Sequence, residues 1–279
     1  MPASLSQQVA APASPPPPPP TTPPSNPSPA SAEGAKDPHL HLSHGGRTDF
    51  RGRNDTLYNF LSAPNVSLNV RIHLSDFWLH DGALLVHGSF MTQAHLRVGD
   101  ILNVSFDAAR MNDRNFAWDM LRGVCGQRGF KMGPHRVYNC TGAANLTSDY
   151  SSVTMEAASW RVRITSQPIY NRALSAASVA PHHRLDIRIT SSSVSICDAT
   201  RGILGASFVQ SRRDGATDVY PDKGEITTRA MGEGAIDGLA SDYEMGLPYD
   251  TAFKFSKFGT PCTTRSATLN GPRDAATDG

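Results

Sequence analysis

The sequence lacks any run of about 18 apolar residues, so no stretch has the length of a membrane-spanning helix. Neither sign of charge is in excess. Lys and Arg number 26 against 25 Asp and Glu, for a formal net charge of +1. That balance removes the electrostatic argument for nucleic acid or an anionic membrane as partner. None of the four cysteines forms a Cys-x-x-Cys pair, which excludes zinc-ribbon and thioredoxin-like chemistry. There is no Gly-x-Ser-x-Gly elbow, no His-Glu-x-x-His and no phosphate-binding glycine loop. Ser207, in Gly205-Ala206-Ser207-Phe208, lacks the glycine that the elbow requires. The protein is therefore expected to be non-enzymatic, with no cofactor and no catalytic or metal-ligating residues.

Proline is present in quantity and unevenly placed: twelve of 21 fall within the first 35 residues. Residues 1–36 contain no aromatic side chain, only Glu33 and Lys36 as charges, and an unbroken run from Pro15 to Pro20. Such a segment has few ladder donors and no core-forming side chains. It reads as a disordered, extended spacer. Its Ser14-Pro15 and Ser28-Pro29 steps suit an O-glycosylated stalk. Residues 263–279 read as a flexible tail, which leaves 37–262 as one folded domain.

Five Asn-x-Ser/Thr sequons, at Asn54, Asn65, Asn103, Asn139 and Asn145, exceed the roughly two expected by chance from composition. Met1–Ala10 has neither the basic cluster nor the apolar core of a leader. With the sequons and the stalk, the expectation is an extracellular or cell-surface glycoprotein whose true start lies upstream of Met1. Cys125, Cys140, Cys197 and Cys262 then admit three disulfide connectivities. Cys125–Cys140 with Cys197–Cys262 is favoured, because the first closes a short Gly-rich loop.

Period-two alternation dominates the rest. Val66, Leu68, Val70, Ile72 and Leu74 alternate with Ser67, Asn69, Arg71 and His73, the pattern of a strand with one solvated face. Trp160, Val162 and Ile164 alternate with Arg161 and Arg163, and Leu185, Ile187 and Ile189 with Asp186 and Arg188. Val194 and Ile196 suggest a further strand. Asp81-Gly82 and Gly99-Asp100 mark hairpin turns. Short helices are expected only near Phe116–Leu121 and Ile236–Tyr243. The fold class is all-β, a single large β-sandwich or open barrel with one or two short helices.

Asp37-Pro38-His39, then Gly45-Gly46-Arg47-Thr48-Asp49-Phe50-Arg51-Gly52 and Tyr58-Asn59-Phe60-Leu61, resemble the opening of von Willebrand factor type D modules. Gly202-Ile203-Leu204-Gly205-Ala206-Ser207-Phe208 is similar to a second landmark of those modules. It is closer to the cysteine-free version in the carboxy-terminal domain of inter-alpha-trypsin inhibitor heavy chains. The resemblance covers residues 37–258. It implies a β scaffold acting in matrix, cell wall or surface coat, with protein or polysaccharide partners. Leu204 stands where those modules carry a Cys, and Arg53-Asn54-Asp55 where the other lies, so the disulfide joining the two landmarks is not carried over. Nor is a calcium site, because 209–215 lacks the acidic loop. The resemblance also points to Asp37–Pro38, a bond that some such modules cleave themselves. Lys36 beside Asp37 would hold its carboxylate ionised, and Asp37-Pro38 reads instead as a rigid lead into the first strand.

Three further groupings bear on chemistry. His39 and His41 share one face of a strand, with His44 near as a third imidazole. Nine acidic residues between Asp214 and Asp250 offer oxygen ligands in no EF-hand register and read as a solvated surface. Trp78, Trp160 and Tyr170 could stack on sugar rings, the basis of an alternative as a carbohydrate-binding protein with a defined site. An all-β hydrolase, the remaining alternative, needs two carboxylates in one cleft.

Overall fold

The computed structural model describes residues 29–35, 38–79, 84–112, 119–169, 181–192, 196–210 and 238–262. The protein is mostly β, arranged as two antiparallel sheets with no closed barrel. One sheet has eight strands in the spatial order β10 (Val137–Cys140), β11 (Ala144–Ser148), β12 (Ser152–Ala157), β13 (Trp160–Pro168), β14 (His183–Ser191), β1 (Ser31–Ala35), β2 (His39–His41) and β3 (Arg47–Asp49). The other has seven, in the order β15 (Glu244–Met245), β4 (Thr56–Ala63), β5 (Val66–Leu79), β6 (Leu84–Val98), β7 (Leu102–Asp107), β8 (Leu121–Cys125) and β9 (Arg128–Met132). Their inward residues merge into one core: Leu68, Val70, Leu96 and Val104 from one sheet, Val162, Ile164, Ile187 and Ile189 from the other.

Two sequence expectations are corrected. Ser31–Ala35 belongs to the sheet rather than to the proline-rich spacer, as β1, between β14 and β2. Backbone pairing sustains this strand despite its small side chains; Gly34 packs closely on Leu40 and Met91, where a Cβ would stand 3.1 Å from Leu40 Cδ2. The helix expected near Phe116–Leu121 falls partly outside the described residues, with Leu121 opening a strand; among the described residues the α-helix is Ala108–Asn112 (α1), started by the Asp107 carboxylate, which accepts the N–H groups of Ala109 and Arg110 at 3.1 Å. Ile196 lies outside any strand; Val194 is outside the described residues. The second helical expectation corresponds to a 3₁₀ turn at Ala240–Tyr243. The Gly99-Asp100 hairpin joins β6 to β7, and Asp81-Gly82 lies outside the described residues between the paired β5 and β6.

The two glycine-containing motifs meet in space. Ser62 and Arg201 exchange backbone hydrogen bonds at 2.6 and 2.7 Å, and the Ile203 and Leu204 N–H groups donate to Asn59 and Phe60 carbonyls at 3.0 Å. The register of β4 with β5 shifts between Asn59 and Leu61, which frees those carbonyls. Gly202 has φ +103°, and a Cβ there would stand 2.6 Å from the Phe60 carbonyl carbon. Only glycine satisfies both the backbone region and the approach. Leu204 is fully buried.

Candidate functional site

The outer faces of the two sheets differ in kind. On the seven-stranded sheet, Asn59, Ser67, Asn69 and His95 point away from the core yet are buried. The strand expected to have a solvated face is therefore covered on both sides at Ser67 and Asn69, while Arg71 and His73 farther along it stay partly exposed. The cover is the segment after β15, which runs across the sheet as a strap. Asn69 donates to the Pro248 and Asp250 carbonyls at 3.0 and 2.8 Å, and Arg97 to the Tyr249 carbonyl at 3.3 Å. The Asn65 N–H donates to the Phe258 carbonyl, and the Lys257 N–H to Ser62 Oγ, both at 2.9 Å. Cys262 then pairs with Cys197, Cα atoms 5.4 Å apart, and anchors the end of the strap. Polar residues on β4 to β7 are thus the strap's hydrogen-bond partners rather than solvent-facing groups.

Beneath the strap lies a cluster for which the sequence carries no signal. His95 Nδ1 is 2.7 Å from Ser105 Oγ, which is 2.5 Å from the Tyr249 hydroxyl. The Tyr249 ring meets the His95 ring edge-on at 5.7 Å. Burial, reinforced by the Arg71 charge, holds the His95 pKa down to about 4, and burial raises that of Tyr249. His95 is therefore neutral near pH 7. A serine beside a histidine invites comparison with a nucleophile–base pair. Here Nε2 is buried with no hydrogen-bond partner, so no third group orients the ring. Ser105 is held between the histidine and a strap tyrosine. The cluster reads as the polar seat of the strap.

Among the described residues nothing lies across the outer face of the eight-stranded sheet, where Arg163, Arg188, His41 and Arg47 are exposed. Pairing registers align Thr147, Thr154, Arg163, Arg188, Glu33, His41 and Arg47 in one row across seven strands. Arg163, Arg188, Glu33, Asp186, Thr165 and Gln167 line a depression of about 350 Å³ at its centre, within the size range of ligand sites. Two carboxylates do share this depression, as the hydrolase alternative requires. A glycosidase, however, keeps one carboxyl protonated in an apolar pocket, and these walls are polar, with two arginines beside the two carboxylates.

The other expected site residues are dispersed. His39 Nδ1 lies 2.6 Å from Asp49 Oδ1, His41 is exposed, and the His44 imidazole accepts the Gly46 N–H. No group of three or more His, Cys, Asp or Glu able to hold a metal occurs among the described residues. Asp37 and the acidic residues 214–237 lie outside the described residues; Pro38 is buried, and its carbonyl accepts the Phe50 N–H at 3.1 Å. Of the remaining acidic residues, Asp242 binds Lys254 and Glu244 binds Arg53, so they serve as strap anchors. Trp160 is 4% exposed and packs edge-on against Phe208 at 5.1 Å, so it is core and no stacking platform. The Trp78 side chain and Tyr170 lie outside the described residues.

Cys125 and Cys140 are bonded, Cα atoms 5.8 Å apart, and link the edge regions of the two sheets. With both pairs formed there is no free cysteine, the state of a non-cytoplasmic, oxidising compartment. No described helix is long and apolar enough to cross a membrane.

The sequons divide by environment. Asn54, Asn65, Asn139 and Asn145 are exposed. Asn103 is half-buried with its Oδ1 enclosed, and the hydroxyl of its sequon serine, Ser105, is held by His95 and Tyr249. Asn139 and Asn145 are register partners whose amides bond at 2.5 Å. In protein secreted by a glycosylating host, glycans are expected at Asn54, at Asn65 and at one of Asn139 and Asn145 per molecule, with Asn103 bare. Glycopeptide mass spectrometry with isotope-labelled deglycosylation reads this directly. A fully occupied Asn103 in folded protein would contradict it.

No family model and no curated protein matches this sequence.

Proposed function

We propose that this protein is a non-enzymatic extracellular module of von Willebrand D type, a rigid β scaffold of matrix, cell wall or surface coat that binds polysaccharide through the open face of its eight-stranded sheet. One observation carries the reading: the seven-stranded sheet is covered by its own strap, whereas the eight-stranded one presents a polar row, uncovered among the described residues and centred on a ligand-sized depression. Two further points support it. The disulfides and exposed sequons suit the secretory route. The two landmark motifs pack together through backbone hydrogen bonds and the buried Leu204, which do the joining here that a disulfide does in the modules they resemble.

Co-sedimentation of the folded protein with insoluble wall and matrix polysaccharides, beside affinity electrophoresis in soluble ones, tests the reading. Retention by at least one polysaccharide is expected, lost when the row is blocked by bulky uncharged substitutions such as Thr154→Met and Thr165→Met. Retention by none would overturn it.

A further inference from the structure

The two arginines at the centre of the open row are placed unlike the others on that face. Arg163 on β13 and Arg188 on β14 are register partners. Like charges directly opposite one another in a sheet are destabilising. Arg161 and Arg184, on the same face, are neutralised within the fold by Glu156 and Asp186. Arg163 reaches only Ser152 Oγ, at 3.4 Å, and among the described residues Arg188 has neither a hydrogen bond nor an ion pair. Glu33, across from Arg188 on β1, makes no ion pair with it either. Two exposed guanidinium forks thus stand side by side over a depression that Glu33 and Asp186 also line, yet neither carboxylate pairs with them: Asp186 is held by Arg184.

We infer that Arg163 and Arg188 form an oxyanion subsite for the carboxylate or sulfate groups of an acidic polysaccharide; this rests on the polysaccharide-binding reading above and names its ligand class. A guanidinium matches the planar oxygens of carboxylate, and two oxygens of sulfate, through paired N–H donors. An anion between Arg163 and Arg188 converts their repulsion into two charge-assisted contacts. Thr165, Gln167 and the Glu33 carboxylate lie in the same depression and suit sugar hydroxyls. Glu33 also argues against a uniformly dense polyanion such as nucleic acid, since it interrupts the cationic row. From Arg163 through Arg188, Glu33 and His41 to Arg47, five strands at normal spacing cover about 19 Å. That length accommodates several sugar units, with an acidic group at Arg163–Arg188 and hydroxyls at Glu33.

The test uses the full-length protein in affinity electrophoresis against polygalacturonate, a sulfated galactan, a neutral galactan and single-stranded DNA, at about 50 and 200 mM salt. Wild type should be retarded by one or both acidic polysaccharides and less so at the higher salt. The arm that responds separates carboxylate from sulfate recognition. R163Q/R188Q should weaken that binding at least about tenfold, while R161Q, at a neutralised arginine of the same face, stays within about twofold. Both arginines are exposed, and an unchanged melting temperature of R163Q/R188Q shows that the fold is kept. Equal retardation by the neutral galactan or by DNA, or full binding by R163Q/R188Q, overturns the subsite and leaves the polysaccharide reading standing. No retardation by any polysaccharide, together with no co-sedimentation, overturns both.

Discussion

Replacing both Cys197 and Cys262 by Ser should cost about 4 kcal/mol of stability, from the entropy of closing a loop of this length. The two cysteines are 65 residues apart in sequence, and the bond joins the strap's end to the segment that pairs with Ser62. The effect should be concentrated locally. With its end free, the strap is held by the Asn69, Arg97, Asn65 and Ser62 hydrogen bonds and by Arg97 over the Phe258 ring at 5.2 Å. Trypsin should then cleave after Lys254 and Lys257 well before the sheets unfold. The Cys125–Cys140 link spans 15 residues and should contribute about 3 kcal/mol, without opening the strap. Urea unfolding of the double variant, with trypsin cleavage mapped by mass, checks both parts. A loss below about 1 kcal/mol, or cleavage sites unchanged from wild type, would show that the strap is held mainly by its other contacts.

Acidification should destabilise the protein through His95. In the unfolded state an imidazole titrates near its ordinary value of about 6.5, whereas the folded value is held down to about 4, first by burial and then by the charge of Arg71, with Asp107 opposing. Between those values the unfolded state binds more protons than the folded one. Stability therefore falls as pH drops through this window, by about 1.4 kcal/mol per pH unit and about 3 kcal/mol in all. Below about pH 4 this contribution is constant. Asp119 does not enter the window: hydrogen bonds from Arg122 and Lys131 hold its carboxyl near 2, so its contribution is lost only in stronger acid. Urea unfolding of wild type and His95→Gln at several pH values between about 7 and 4 isolates the effect. The gap between the two should shift steadily against wild type as pH falls, whereas parallel curves would remove His95 as the cause. Because the strap seats on His95, the same acidification should increase trypsin cleavage at Lys254.

The strands are legible wherever one face is apolar and the pairing is local. Leu185, Ile187 and Ile189 point to the core as their alternation requires, and Asp186 and Arg188 point outward. On β5 the same alternation is present, but the solvated face expected from Ser67 and Asn69 is not. Period two says that a polar face exists, not what lies on it. Asn69 is solvated or buried according to whether a segment some 180 residues later crosses over it, and no local pattern encodes that crossing. β1 escapes the pattern for a related reason. Ala32 and Gly34 have little apolar signal of their own, and the strand exists because β14 and β2 supply partners on both sides.

Candidate sites divide in the same way. Gly202 can be read as a close approach because the residue type itself marks the constraint. Trp160 cannot be placed, since an aromatic on an alternating strand reads the same as core or as platform until Phe208 is found against it. The Arg163–Arg188 pair lies in plain view within two good strand patterns, yet nothing in either segment says that the two strands are neighbours or that these two residues share a register.

The sequence by itself determined the class of fold, the lack of an apolar run long enough for a transmembrane helix, the glycine at the tight crossing and the outward arginines, because each follows from side-chain chemistry within a few residues. The tertiary structure alone decided which outer face is covered, which serine and histidine meet, and which charges remain without a partner. Those outcomes depend on strand order and register, which are set by long-range pairing of backbone groups that every residue carries alike.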